Sequence, residues 1–139
     1  MKKEEEQKEI LLFDQWNEIK KYINNGEINS ELFPKQGEIW MCILGKNVGR
    51  EQNGGGNNFS RAMLVLKKFN NEIFWVVCLS TKQKNVDYYY NFDKNSTIKG
   101  SAILAQIRLI HIKRFKRKLS DLNQKDFMNI KKKLIEYLE

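Results

Sequence analysis

The sequence predicts a mainly β domain with a helix at each end, its short strands forming a small barrel or a strongly bent sheet. Three observations carry this. Apolar residues recur at helical spacing only near the two ends of the chain. Between them run about five short stretches rich in β-branched and aromatic residues, divided by Gly, Asn and Asp. The single proline, Pro34, opens the stretch where the pattern changes from helix to strand.

The first helix spans residues 4–24, with Leu12, Trp16, Ile19 and Ile23 on one face and Gly26 just past its end. Pro34 to Gly37 then punctuates the chain. "EIWMCIL", 38–44, reads as a strand, and 45–60 as a long loop rich in glycine and asparagine. "RAMLVLKKF", 61–69, and "EIFWVVCLS", 72–80, read as a hairpin turning on Asn70 and Asn71, a pair suited to positive φ. "TKQKNVD", 81–87, is polar, "YYYNF", 88–92, is strand-like, and "DKNS", 93–96, is a turn. "SAILAQIRLIHI", 101–112, is one long or bent strand, followed by the basic run "KRFKRK", 113–118. The last helix is capped by Asn123, carries Asp126 in its first turn, and has the apolar stripe Phe127, Ile130, Leu134 and Leu138. The expected division is a helical extension, 1–31, and a domain, 32–139.

Composition narrows the class. The 139 residues suit one domain, and 41% hydrophobic content supplies a core. No apolar run reaches the roughly 20 residues of a spanning helix, and "MKKEEEQKEI" is acidic where a signal peptide is apolar. A cytoplasmic protein with no membrane partner is expected. Cys42 and Cys78 each sit in an apolar run and read as buried, reduced thiols. The net charge is +8. Residues 1–31 hold 5 Lys/Arg against 8 Asp/Glu, and residues 32–139 hold 20 against 9. Such a basic body attracts polyanions, DNA or RNA, through counterion release.

Several chemistries are set aside. "GGG", 54–56, is not followed by Gly-Lys-Ser/Thr, so it is no phosphate-binding P-loop. The one histidine, His111, rules out a paired-histidine mechanism or a histidine-rich metal site and reads as a structural or surface residue. What remains lies at strand ends. Counting back along the hairpin brings Arg61 beside Ser80 and Thr81. A guanidinium next to hydroxyls can grip a phosphate and stabilise a phosphoryl transition state. The same residues also suit an ordinary strand exit at the surface.

The segment "GEIWMCILGKNVGREQNGGGNNFSRAMLVLKKFN" resembles the opening of the PemK/MazF family of toxin ribonucleases. Gly37, Glu38, Ile39 and Trp40 match its first motif, Gly49, Glu51, Gln52 and Gly54 its second, and Arg61 its arginine. "VVCLSTK", 76–82, and "AILAQIRLIHIKRFKRKL", 102–119, resemble the second and third segments, in the family's order. The resemblance covers about residues 35–138.

It implies an SH3-like small β-barrel of the PemK/MazF/CcdB kind, usually a homodimer, and the toxin of a toxin–antitoxin pair. It implies a ribonuclease that cuts single-stranded RNA without metal or cofactor. The 2′-hydroxyl attacks the neighbouring phosphate and leaves a 2′,3′-cyclic phosphate and a 5′-hydroxyl. Arg61 takes the catalytic arginine's place. The family's threonine maps onto Ser80, or onto Thr81 with a slip of one residue. Glu51, Gln52, Lys82, Gln106 and Arg108 fall in the RNA-binding set, with Gln106 and Arg108 lining the same groove as Arg61. The implied partners are single-stranded RNA, a cognate antitoxin and a second copy. Departures stand at Ala62, Cys78, Ala105 and His111, where Pro, Pro, Ser or Asp, and Asp are common. Those at Ala62, Ala105 and His111 motivate an alternative, a domain that binds RNA or poisons a protein target, as CcdB does, without cutting. The loop 45–60 is expected to be a flap over the groove.

Overall fold

The computed structural model describes residues 2–139. Helix α1 (Lys2–Asn25) precedes strands β1 (Glu38–Ile43), β2 (Ser60–Lys68), β3 (Ile73–Ser80), β4 (Tyr89–Asn91), β5 (Ser101–His111) and β6 (Phe115–Asp121); helix α2 (Gln124–Tyr137) ends the chain. A 3-10 turn, Ile112–Arg114, joins β5 to β6. The strands form one antiparallel sheet in the order β4-β5-β3-β2-β1-β6. The mainly β architecture with a helix at each end is as the sequence predicts. The sheet does not close into a hydrogen-bonded barrel: β4 pairs with β5 and β6 with β1, leaving both as edges. It is the strongly bent form instead.

Both faces of the sheet are buried, which explains the unbroken apolar runs of β2 and β3. Met63 and Val65, with Trp40, Cys42, Phe74, Val76, Cys78, Ile110 and Phe115, fill one face. Leu64 and Leu66, with Ile39, Val77, Leu79 and Leu104, fill the other, which Ile130 of α2 covers together with Phe127 and Leu134. Leu138, expected in the same stripe, is 88% exposed because it lies beyond the last full turn of α2.

Bulges supply the bend. Between Val65 and Lys67 of β2, Leu66 has no partner of its own on β3. On β5 the register jumps from Ile103 to Ile107 while β3 advances from Cys78 to Val77. The three intervening residues, Leu104, Ala105 and Gln106, make the bent strand that the sequence suggests.

Other expectations are corrected. Asn70 and Asn71 do not take positive φ; Phe59 alone does so among the described non-glycine residues. The hairpin loop holds residues 70–72, with Phe69 N donating to Ile73 O, and the Asn70 side chain accepts from Glu72 N and Ile73 N at 2.8 and 3.0 Å. A side-chain oxygen thus turns the chain where left-handed backbone was expected. The basic run 113–118 is no single segment: Phe115 enters the core and starts β6, a sixth strand. Asn123 stands at the start of α2 without a side-chain cap bond, its amide oxygen accepting from Ser96 and Thr97 instead.

Of the α1 stripe, only Trp16 is buried, Ile19 and Ile23 are half-buried, and Leu12 is 40% exposed. No helix among the described residues is long and apolar enough to cross a membrane.

Candidate functional site

Arg61 sits one residue into β2, opposite Cys42 of β1. The β2–β3 register pairs Met63 with Cys78, and continued by two residues it sets Arg61 against Ser80. The side chain confirms the juxtaposition: Nη1 donates to Leu79 O at 3.2 Å. Nε donates to Asn53 O at 3.0 Å. With the Gln52 amide turned so that its oxygen faces the guanidinium, that oxygen accepts from Nη1 at 3.2 Å and Nη2 at 2.8 Å. A strand end, a loop carbonyl and a loop amide therefore hold the guanidinium from different sides.

Around it opens a cleft of about 630 Å³. Its lining includes Gln52, Arg61, Ser80, Thr81 and Lys82. It also includes Lys84, Tyr89 and Lys99, which the sequence reading passed over. Lys84 Nζ lies 5.5 Å from the Tyr89 ring centroid. Lys84 follows the hydroxyl pair closely in sequence, whereas Lys99 lies beyond β4 and reaches the cleft only through the fold. No carboxylate or imidazole lines the cleft among the described residues. A site of four cations without a counter-charge suits a polyanion.

The two hydroxyls differ. Ser80 is half-buried, and its Oγ accepts from Lys82 N at 3.1 Å, closing the strand exit. Ser101 Oγ donates to Lys82 O at 2.6 Å, fixing the backbone of the same residue at its other end. Thr81 is exposed, and its side chain makes no hydrogen bond among the described residues.

The remaining expected residues do not line this cleft. Glu51, Gln106 and Arg108 line an adjoining depression of about 310 Å³, which shares Gln52 with it. The bulge on β5 projects Gln106 toward the loop, where its Oε1 accepts from Gln52 N at 3.0 Å and its Nε2 donates to Arg50 O at 2.9 Å. Gln106 thus pins the loop residue that bonds Arg61. Exposed Glu51 accepts from Val48 N at 3.4 Å. Arg108 is half-buried.

Glu38 of the opening motif is a structural anchor. Its carboxylate accepts from Lys35 N at 2.7 Å and Trp40 Nε1 at 3.1 Å, and pairs with Lys118 at 2.9 Å. Burial pushes this carboxyl up, but those donors outweigh it and leave it below the usual range. Burial pushes the Cys78 thiol up to about 11 against the pull of Arg61 and Arg108. That thiol stays neutral beside the guanidinium and is no nucleophile. His111 lies outside the cleft: Nδ1 accepts from Lys113 N at 3.1 Å and Nε2 is 3.6 Å from Glu72. Among the described residues no group of three or more His, Cys, Asp or Glu could hold a metal ion.

Residues 35–138 match the family described as PemK-like, MazF-like toxin of type II toxin–antitoxin systems. No curated protein sequence matches the chain. Among solved structures, MazF from Deinococcus radiodurans superposes with a TM-score of 0.62 at 16% identity, covering 77% of this chain and 97% of its own. An endoribonuclease from a mycobacterial species gives 0.58 at 14%, covering 81% and 95%. An endoribonuclease in complex with its cognate antitoxin, also mycobacterial, gives 0.58 at 13%, covering 76% and 95%. At these identities the likeness is one of fold.

Proposed function

Because the chain belongs to the PemK-like, MazF-like toxins of type II toxin–antitoxin systems, we propose that it is an endoribonuclease cutting single-stranded RNA at Arg61. The observation that carries this is the guanidinium held by Asn53, Leu79 and Gln52 in a cleft of four cations. The 2′-hydroxyl oxygen attacks the adjacent phosphorus, and the bond to the 5′ oxygen breaks. The 2′ oxygen gives up its proton and the leaving oxygen gains one, so the products are a 2′,3′-cyclic phosphate and a 5′-hydroxyl. Arg61 meets the charge that develops on the phosphorane oxygens. Its protein anchors set the geometry beforehand, which spares reorganisation during the reaction. With no carboxylate or imidazole in the cleft lining among the described residues, acceleration rests on this electrostatic term and on positioning.

Thr81 offers the free hydroxyl to a phosphate oxygen, while Ser80 shapes the exit that holds Lys82. Lys82, Lys84 and Lys99 track the flanking phosphates, and Tyr89 offers a ring on which a base can stack. Glu51, Gln106 and Arg108, in the adjoining depression, extend the RNA track. No metal or cofactor enters this reading.

The domain proper is 32–139, with 1–31 as its extension, and the setting is the cytoplasm. The partners are single-stranded RNA, a cognate antitoxin and a second copy of the chain. Self-association is supported by an apolar groove of about 920 Å³ between α2 and the sheet, bordered by Phe69, Trp75, Ile107, Ile135 and Leu138.

The test is incubation of the protein, and of an Arg61→Ala control, with a long single-stranded RNA in EDTA. Discrete cuts with cyclic-phosphate ends, absent from the control, support the reading. Cutting by folded Arg61→Ala overturns it. The bare cleft lining also favours a second reading, RNA or protein binding without cleavage. Intact RNA that is nevertheless retained by the folded protein selects that one.

A further inference from the structure

Helix α1 lies outside the residues that match the family, yet one side chain ties it to the site. Trp16 is 7% exposed and is the one buried residue described in α1. Its ring centroid is 5.8 Å from that of Phe59, and Arg114 Cζ lies 5.6 Å from the same indole. Arg114 in turn donates to Ile43 O and Leu44 O, both at 3.1 Å. The indole occupies the space over Gly45, where a Cβ would overlap it.

Gly45 and Phe59 are the two ends of the loop 45–59. They are clasped together: Leu44 N and Gly45 N donate to Phe59 O at 2.8 and 3.1 Å. Phe59 has φ 51, a conformation that a bulky side chain resists, so ring packing has to hold it. From there the route to the site is short. Gly54 packs so tightly on the Phe59 carbonyl that a Cβ would overlap it, and Gly54 N donates to Gly45 O at 2.8 Å. The preceding residue, Asn53, accepts from Arg61 Nε, and Gln52 accepts from the guanidinium tips.

We propose that Trp16 is a positioning residue: it locks the loop 45–59 in the conformation that presents Asn53 and Gln52 to Arg61. Helix α1 is then a clamp on the loop rather than a detached extension. Lys46, paired with Glu9 at 3.1 Å, adds a second tie between the same two elements. The catalytic consequence rests on the ribonuclease reading above. The conformational consequence does not.

The test uses the full chain as wild type, Trp16→Ala, Trp16→Phe and Tyr22→Ala. Tyr22, 82% exposed on the same helix, is the control. Amide hydrogen exchange over 45–59 and the Arg61 Nε–H resonance report the loop, and kcat and KM for RNA cleavage report the site. In Trp16→Ala the loop amides should exchange on the order of tenfold faster, while β2 and β3 keep their protection. The Arg61 signal should broaden, and kcat should fall on the order of tenfold with KM within about twofold. Trp16→Phe should recover most of both effects, and Tyr22→Ala should match wild type. Unchanged loop exchange and an unchanged Arg61 signal in Trp16→Ala overturn the proposal, and so does an even loss of protection across the sheet. If the wild type cuts no RNA, the ribonuclease reading falls, and the exchange and resonance data decide the role of Trp16 alone.

Discussion

Arg61 Nη1 donates to the Leu79 carbonyl at 3.2 Å, so the guanidinium spans from the start of β2 to the end of β3, beside the hydroxyl pair. Lysine cannot reproduce this, since one ammonium cannot meet Asn53 O, Leu79 O and the Gln52 amide in a planar fork. Arg61→Ala is expected to lower kcat by roughly a hundredfold or more, and Arg61→Lys by at least about tenfold. Single-turnover cleavage reads the loss, and circular dichroism checks that the sheet persists.

Ser80 and Thr81 should separate by phenotype. Thr81→Val removes a hydroxyl with no internal partner, so turnover should fall about tenfold with the melting temperature unchanged. Ser80→Ala removes the acceptor for Lys82 N and should cost about 1 kcal/mol of stability. Melting curves and cleavage rates on the same samples test both. Equal effects of the two variants on turnover would contradict the assignment.

Lys84 and Lys99 line the cleft. Replacing each by Ala should weaken binding of unrelated RNAs evenly. Each should also flatten the slope of log affinity against log salt by about 0.7. Fluorescence anisotropy at several salt concentrations measures the slope. An unchanged slope would place the RNA elsewhere.

Asp126 of α2 accepts from Tyr90 OH at 2.6 Å and Ser96 Oγ at 2.7 Å. Burial pushes its carboxyl up, but these donors and Asn123 outweigh it, so the folded carboxyl titrates below the unfolded one. A depressed carboxyl stabilises the fold above its unfolded pKa and ceases to do so as pH falls through the folded value. Asp126→Ala should therefore cost about 2 kcal/mol at neutral pH, and the gap to wild type should narrow as pH drops below about 4, since the protonated carboxyl loses its charge but still accepts from Tyr90 and Ser96. Urea denaturation across a pH series tests it.

Both thiols are buried, and burial raises Cys78 to about 11 and pushes Cys42 up as well. Ellman's reagent at mild alkaline pH should label neither in the folded protein and both in denaturant.

Much of the architecture was legible because it rests on local patterns. The run Met63 to Leu66 alternates between two buried faces, and a strand buried on both sides looks like that in sequence. The strand at 115–121 was hidden because Phe115 and Leu119 are its only large apolar residues amid cations and polar groups. At the site, Arg61 and the hydroxyl pair followed from counting along a hairpin. Lys84 and Lys99 lie far apart in sequence on connecting segments, so only folding brings them to one cleft. The role of Trp16 was not legible. Its helical spacing marks a buried face without naming the loop that the face meets.

The hairpin loop of three residues and the unpaired Leu66 have a joint consequence for how this chain can tolerate insertions and deletions. The longer loop displaces the β2–β3 pairing by one step relative to a two-residue turn, and Leu66 moves it one step back. The two offsets cancel before Arg61 is reached. These offsets are of residue count only, so neither extra residue is needed to aim the guanidinium: without one loop residue Phe69 still pairs with Ile73 across a two-residue turn, and without Leu66 the ladder runs on unbroken, so Arg61 faces Ser80 in both cases. Single-residue deletions at either place should keep Arg61 on its own side of the sheet, the one at Leu66 at the cost of a core side chain.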